Sequence, residues 1–329
     1  MINFFRRYWK RIAVIGLFVT LSVLSLMIGS SSSVTVSALI NGDKTAWNVM
    51  INSRVPRTMA IVISAAGLST AGLIMQAVSR NKFMSPSTSG TTDAAAFGLL
   101  LSFILLNHQP GIVQTLFAFI FALVSTLLFT SVINKLKIRE TVYIPLIGMM
   151  YGGLISAITS VVAYRFNAMQ MMAALGLGSF AKLGDFSIIY IVLIPLVLAV
   201  IYSAKFSIIG MGEDFSKNLG LNYNSVVFTG LAIISLISAA TFVAVGSLPF
   251  VGLIIPNMAT SFYGDNLKKS IFDLMLFGAV FVLICDIISR LVIYPFEMSV
   301  SLTISVMGGI IFMIYLLRGM YGGKKRRTA

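Results

Sequence analysis

The residues of this chain able to do chemistry are few, and most of them are charged. Two arginines flank a proline in Arg54-Val-Pro-Arg57. Asp286 and Arg290 stand four apart, so on a helix they share a face and can pair, and Glu297 follows close behind as a further acid. A segment at 207–222 mixes apolar and acidic residues, with Glu213 and Asp214 placed for the first turn of a short helix and Gly220 as its stop. Such a set suits ion pairing and protein docking. It does not suit catalysis. His108 is the single histidine and Cys285 the single cysteine, so there is no paired-histidine or cysteine-cluster metal site. No Gly-x-x-x-x-Gly-Lys-Ser/Thr loop is present to cradle a phosphate. If the protein works with ATP, another subunit binds and hydrolyses it, and this chain carries no cofactor of its own.

The elements that must position these residues follow from composition. The chain has 329 residues, 58% of them apolar and 10% charged, with a mean hydropathy of +0.97. No soluble domain of this size hides that much apolar surface, so the bilayer is the solvent for most of it. The formal charge of +14 does not indicate nucleic acid, because a binding face needs cations concentrated on one exposed surface. Here they sit in short clusters between long apolar runs, as orientation signals do. The lone Cys285 rules out an intrachain disulfide.

Apolar runs near the ~20-residue length of a bilayer crossing lie near 12–29, 58–78, 90–106, 112–134, 142–163, 187–204, 224–245, 249–263, 272–292 and 299–317. The expected fold is all-α: a single polytopic membrane domain over 1–329, with about ten transmembrane helices. Arg6, Arg7, Lys10 and Arg11 precede the first run, which reads as an uncleaved span. Placing both termini on the cytoplasmic side puts 18 of the 24 basic residues inside. Six are left outside: Lys44, Arg54, Arg57, Arg165, Lys182 and Arg290.

Arg54 and Arg57 can be explained by snorkelling at the interface or by a functional role, and the segment alone does not choose. Asp286 neutralises Arg290, but an arginine that needs a partner at this depth is costly to keep. Asp93 and Asp286 are the acids placed at span depth. An ion-coupled secondary transporter would use such groups, yet both lie near span ends or beside a cation. His108 reads as a loop residue, and the 18 methionines read mainly as core packing.

Two spans open on broken segments, Ser85-Pro86-Ser87-Thr88-Ser89-Gly90 before the third and Gly246-Ser247-Leu248-Pro249 before the eighth. They occupy matching places if spans 2–5 and 7–10 are inverted repeats, a pattern that points to a transport pathway. Ala65, Ala66, Gly67, Ala71 and Gly72 on the second span allow close helix packing.

Several segments together resemble the permease family of bacterial ATP-binding-cassette importers for iron–siderophore complexes, haem and vitamin B12. They are Arg54-Val-Pro-Arg57; Gly67 through Gln76 with Arg80-Asn81; Met211-Gly212 through Leu219-Gly220; Phe250-Val251-Gly252-Leu253-Ile254-Ile255-Pro256; and Asp286 with Arg290 and Glu297. The resemblance implies ten helices per subunit and a second permease subunit, the same chain or a paralogue. It also implies two cytoplasmic ATPases and an extracytoplasmic substrate-binding protein in the cell membrane. Arg54, Arg57 and Arg290 would face acids on that carrier. Gly212, Glu213, Asp214, Leu219 and Gly220 would belong to a coupling helix that fits a cleft on the ATPase. Asn81-Lys82-Phe83-Met84 stands where Asn-Pro-Leu-Ala is typical, and Asn257 replaces a histidine after Pro256. Gly308-Gly309 stands where Gly-x-Pro is common, and a tryptophan usual ahead of Gly178-Ser179 is missing. These departures are similar to the branch that imports ferric catecholates of the petrobactin type. The expected cargo is a ferric siderophore, with haem or cobalamin as the alternative within the family.

Overall fold

The structure is a computed structural model that describes residues 2–29, 36–106, 111–136, 143–182, 186–263 and 267–326. His108, Lys137 and Arg139 lie outside them. Fourteen α-helices follow one another among the described residues: α1 (Ile2–Met27), α2 (Val36–Ile40), α3 (Lys44–Val49), α4 (Val55–Ser79), α5 (Thr91–Leu106), α6 (Gly111–Leu136), α7 (Tyr143–Arg165), α8 (Met169–Gly176), α9 (Leu193–Ile209), α10 (Glu213–Asn218), α11 (Tyr223–Val245), α12 (Val251–Tyr263), α13 (Leu267–Leu291) and α14 (Val300–Arg326). A π-helical turn, Met50–Arg54, runs into α4, and a 3-10 stretch, Phe186–Val192, runs into α9.

Among the described residues, six helical stretches are long and apolar enough to cross a bilayer: Lys44–Ser79, Gly111–Lys135, Tyr143–Arg165, Ser187–Ile209, Tyr223–Val245 and Ser270–Leu291. Four shorter apolar helices join them at Arg11–Met27, Thr91–Leu106, Val251–Ser261 and Val300–Tyr315. The 16 residues of α5 and 13 of α12 extend roughly 24 and 20 Å, short of the ~30 Å hydrocarbon layer. The broken segments ahead of them account for the shortfall. Gly246, at φ 90°, ends α11 in a conformation that disfavours a side chain. Residues 84–85 and 89–90 are buried while the chain turns into α5.

α4 is the axis of the molecule. In its apolar 18-residue core 83% of the residues are buried, against 28% for α6 and 22% for α7, so α6 and α7 lie at the periphery. Pro56 in its first turn suits a helix start, where a missing N–H costs nothing. Arg80, left-handed at φ 49°, ends it. α4 crosses α12 at Gly72 and Gly252, where a Cβ on Gly72 would lie 1.8 Å from the Gly252 carbonyl oxygen. Pro256, inside α12, has no N–H to give that carbonyl. The carbonyl is therefore open on the side where α4 comes closest.

The packing pairs exchange between the two halves. α4 packs on α12 and α13, as α11 packs on α5 and α6; α5 packs on α6 and α7, as α12 packs on α13 and α14; and α4 meets α11. That is the pattern expected if α4–α7 and α11–α14 are corresponding blocks. α4 and α13 run antiparallel, because Arg57 at the start of one meets Asp286 near the end of the other. α9, α10 and the end of α4 share one end of the bundle, where Arg80 borders Gly212.

Candidate functional site

At the end of the bundle away from α10, Arg54, Arg57 and Arg290 collect into one cluster with Asp286 and Glu297. Arg57, in the first turn of α4, donates from Nη2 to Asp286 Oδ1 at 2.9 Å and from Nη1 to Glu297 Oε2 at 2.7 Å. Arg290 also pairs with Asp286, as their spacing on α13 predicts. Its Nη1 donates to the carbonyls of Ser25 (2.9 Å) and Ile28 (2.6 Å), and its Nη2 to Ser25 Oγ at 2.6 Å. Arg54 donates from Nη1 to the carbonyls of Leu26 (2.8 Å) and Met27 (2.6 Å).

Arg54 and Arg290 therefore do not present themselves on the outer rim, as facing a carrier would require. Both are buried, at 6% and 4% exposure, beneath the last turn of α1. The physical cause lies in α1. A helix end leaves its last carbonyls without intrahelical partners and carries the negative end of the dipole. Two guanidiniums, one from each side, satisfy them. Gly29 makes room, since a Cβ there would stand 2.9 Å from Arg54 Nη2. Asp286 is fully buried, whereas the side chains of Arg57 and Glu297 keep 13% and 19% exposure. Those two form the open edge of the cluster. Met298 N–H bonds the Ser289 carbonyl at 3.0 Å and holds the 293–298 turn against α13.

The other end carries the second set. Within the segment 207–222, α9 continues to Ile209, and a six-residue helix, α10, follows with Glu213 and Asp214 in its first turn. Gly212 caps α10 at φ 119°, a region that favours glycine, and Gly220 ends the segment at φ 77°. Ser216 is buried and donates to the carbonyls of Gly212 (2.6 Å) and Ile208 (3.2 Å), which ties α10 to α9. Glu213 and Asp214 are exposed in its first turn, and Lys217 Nζ lies 2.8 Å from Glu213 Oε1. That hydrogen bond holds the Lys217 ammonium above its ordinary range. Met211, Phe215 and Leu219, spaced i, i+4, i+8, are 64%, 44% and 56% exposed. Phe215 and Leu219 stand one helical turn apart, and Met211 lies just ahead of the Gly212 cap; these exposed apolar side chains beside the two acids have the chemistry of a protein contact. Reading the acids alone missed Phe215, whose four-residue spacing with Leu219 was the available signal.

The Arg and α10 clusters thus lie at opposite ends, joined by α4 and α13. α1 is fastened to α13 at both, through Arg290 and through an Arg11–Asp273 ion pair at 2.5 Å.

The chain as a whole is similar to known transport proteins. A profile of the FecCD transport family matches residues 17–318. The chain is 41% identical to the petrobactin import system permease protein YclN of Bacillus subtilis (strain 168), over 92% of this chain and 96% of that one. It is 38% identical to the ferric-anguibactin transport system permease protein FatD of Vibrio anguillarum, with the same coverage. In fold it is similar to a solved metal-chelate type ABC transporter in an inward-facing conformation. That match has a TM-score of 0.76, covers 93% of this chain and 98% of the other, and has 23% identity.

Proposed function

Because the chain belongs to the FecCD transport family, we propose that it is the membrane-spanning permease of an ATP-binding-cassette importer and that its cargo is a ferric siderophore of the catecholate type. It is a transport subunit and not an enzyme; ATP hydrolysis belongs to a separate subunit. The observation that carries the cargo is the near full-length match to permeases for petrobactin and ferric anguibactin.

The working assembly is this ten-span domain beside a second permease subunit, identical or paralogous, with two ATPases on the α10 side and a carrier on the opposite side. It sits in the cell membrane with both termini in the cytoplasm, a reading supported by the loop cations. The carrier docks over the Arg57–Glu297 edge. In support, the cluster holds three guanidiniums against two carboxylates, an excess that suits an acidic partner. Arg54 and Arg290 hold the turn of α1 that borders this edge, so their part in docking is to shape it. The α10 segment enters the ATPase through Met211, Phe215 and Leu219, with Glu213 and Asp214 setting register. ATP and carrier move the permease between access states only through their differing affinities for those states.

The cargo is tested in a strain lacking this gene and complemented with it. Uptake of iron from a ferric catecholate is the expected result. Restored uptake of haem or cobalamin in its place would reassign the cargo within the family.

A further inference from the structure

Asp93 takes part in neither cluster. It stands in the first turn of α5, and its carboxyl borders a cavity of about 340 Å³ with Thr92, Ser156, Ser160, Met169 and Ser247. No lysine or arginine is among the described lining residues. On α7, a Cβ at Gly152 would lie 2.6 Å from Asp93 Oδ2, so that glycine leaves room for the carboxylate. The first turn of a helix favours a negative charge. That explains why an acid is tolerated there; it does not explain the polar space in front of it.

Position points to a pathway. The chain reaches α5 from the α10 end, through the segment after Arg80, and reaches Ser247 from the opposite end, where α11 stops at Val245. Thr92 and Asp93, just past the first interruption, and Ser247, within the second, border this one cavity. Meeting points of broken helices are where membrane transporters hold their ligands. The lining has the matching chemistry. Ser156 and Ser160 are exposed on the face of α7 that also carries Gly153 and Ala157, while bulky Leu154, Ile158 and Val161 occupy another face. Hydroxyls and a partly buried carboxylate are costly against lipid and suit a water-bearing space.

We propose that the cavity between α5, α7 and α8 is a hydrated station on the translocation pathway, where Asp93 takes a cationic or hydrogen-bond-donating group of the passing cargo. The proposal rests on the permease reading. A carboxylate ringed by hydroxyls attracts cations and donors and repels anions, so the station has a sign that can be measured.

The test uses the complete importer in proteoliposomes, with Cys285→Ser and Ser160→Cys in the permease, and Ser156→Cys as a second probe. Two membrane-impermeant thiol reagents are compared, trimethylammonioethyl and sulfonatoethyl methanethiosulfonate. The charge preference, taken as the ratio of the two rates relative to their ratio on a free thiol in solution, is expected to favour the cationic reagent about tenfold, the scale of one nearby charge, and Asp93→Asn to abolish it. Carrier loaded with a ferric catecholate, plus ATP, is expected to slow labelling during turnover. Three results would overturn the proposal: no labelling at either position, a charge preference that survives Asp93→Asn, or unslowed labelling while uptake proceeds. An unmodified importer that takes up no ferric catecholate fails the functional reading instead, and the cargo half of the proposal with it, whatever the labelling shows.

Discussion

Asp286 accepts hydrogen bonds from arginines on two different helices: Arg57 of α4 holds Oδ1 at 2.9 Å, and Arg290 of its own helix holds Oδ2. The carboxylate is fully buried, so it joins α4 and α13 at the end of the bundle where α1 also finishes. Removing one member of a buried ion cluster leaves the others charged and unpaired, which costs more than the pair contributed.

Asp286→Asn keeps the shape and removes the charge. It should lower stability by about 3–5 kcal/mol, the range for breaking buried pairs, measured as thermal unfolding in detergent. A loss under about 1 kcal/mol would put the cluster on the scale of surface ion pairs and deny it a fastening role.

Glu297→Gln is expected to act oppositely on docking. It releases Arg57 from one partner, so an acidic carrier should bind the permease complex roughly five-fold more tightly, the scale of a partly exposed pair. Arg57→Gln should weaken binding by a similar factor. Titration of reconstituted complex with carrier measures both. Equal affinities for all three proteins would remove the Arg57–Glu297 edge as the docking surface.

Gly72→Ala should be severely disruptive, because its Cβ would meet the Gly252 carbonyl at 1.8 Å and neither backbone can yield. The expected cost is at least about 3 kcal/mol, the upper end of overpacking. Gly16→Ala on α1, where nothing lies within 4 Å, is the control and should fold normally. Similar stability of the two variants would contradict the close α4–α12 crossing.

At the α10 end, Glu213→Lys with Asp214→Lys should leave assembly largely intact but uncouple ATP hydrolysis from uptake. Phe215→Ala with Leu219→Ala should loosen the ATPase itself. The Lys217–Glu213 pair adds a pH expectation. The raised Lys217 pKa means its contribution is full below the ordinary value of 10.5 and is lost only as pH rises through the higher folded value. Coupled ATPase activity should therefore show no Lys217-dependent step across the neutral range, checked by comparing pH profiles of wild type and Lys217→Met.

Much of the helical frame was legible in the chain. Gly246 and Pro249 marked the start of α12, Gly90 that of α5, and the four-residue spacing of Asp286 and Arg290 foretold their pairing. What stayed hidden was tertiary. Nothing near Arg54 in sequence says that its partners are the carbonyls of Leu26 and Met27, 28 and 27 residues upstream. Arg57 and Glu297 are 240 residues apart. Charge asymmetry could identify these arginines as exceptions but could not say whether they point outward or beneath a helix end. Within 207–222 the short α10 was legible from Glu213, Asp214 and Gly220, but the extension of α9 to Ile209, past the expected span end at 204, was not: the run Phe206 to Ile209 is apolar enough to extend a span, and Phe206 and Ile209 are buried. α14 likewise runs on to Arg326, past the expected span end at 317, because the polar residues after it remain compatible with a helix.

The most direct measurement is accumulation of radiolabelled iron in proteoliposomes that contain this permease with its partner subunit, the ATPases and a carrier loaded with a ferric catecholate. Accumulation that requires both ATP and the ATPase subunits is the predicted result. Accumulation by the permease without ATPase, driven by an ion gradient, would contradict it.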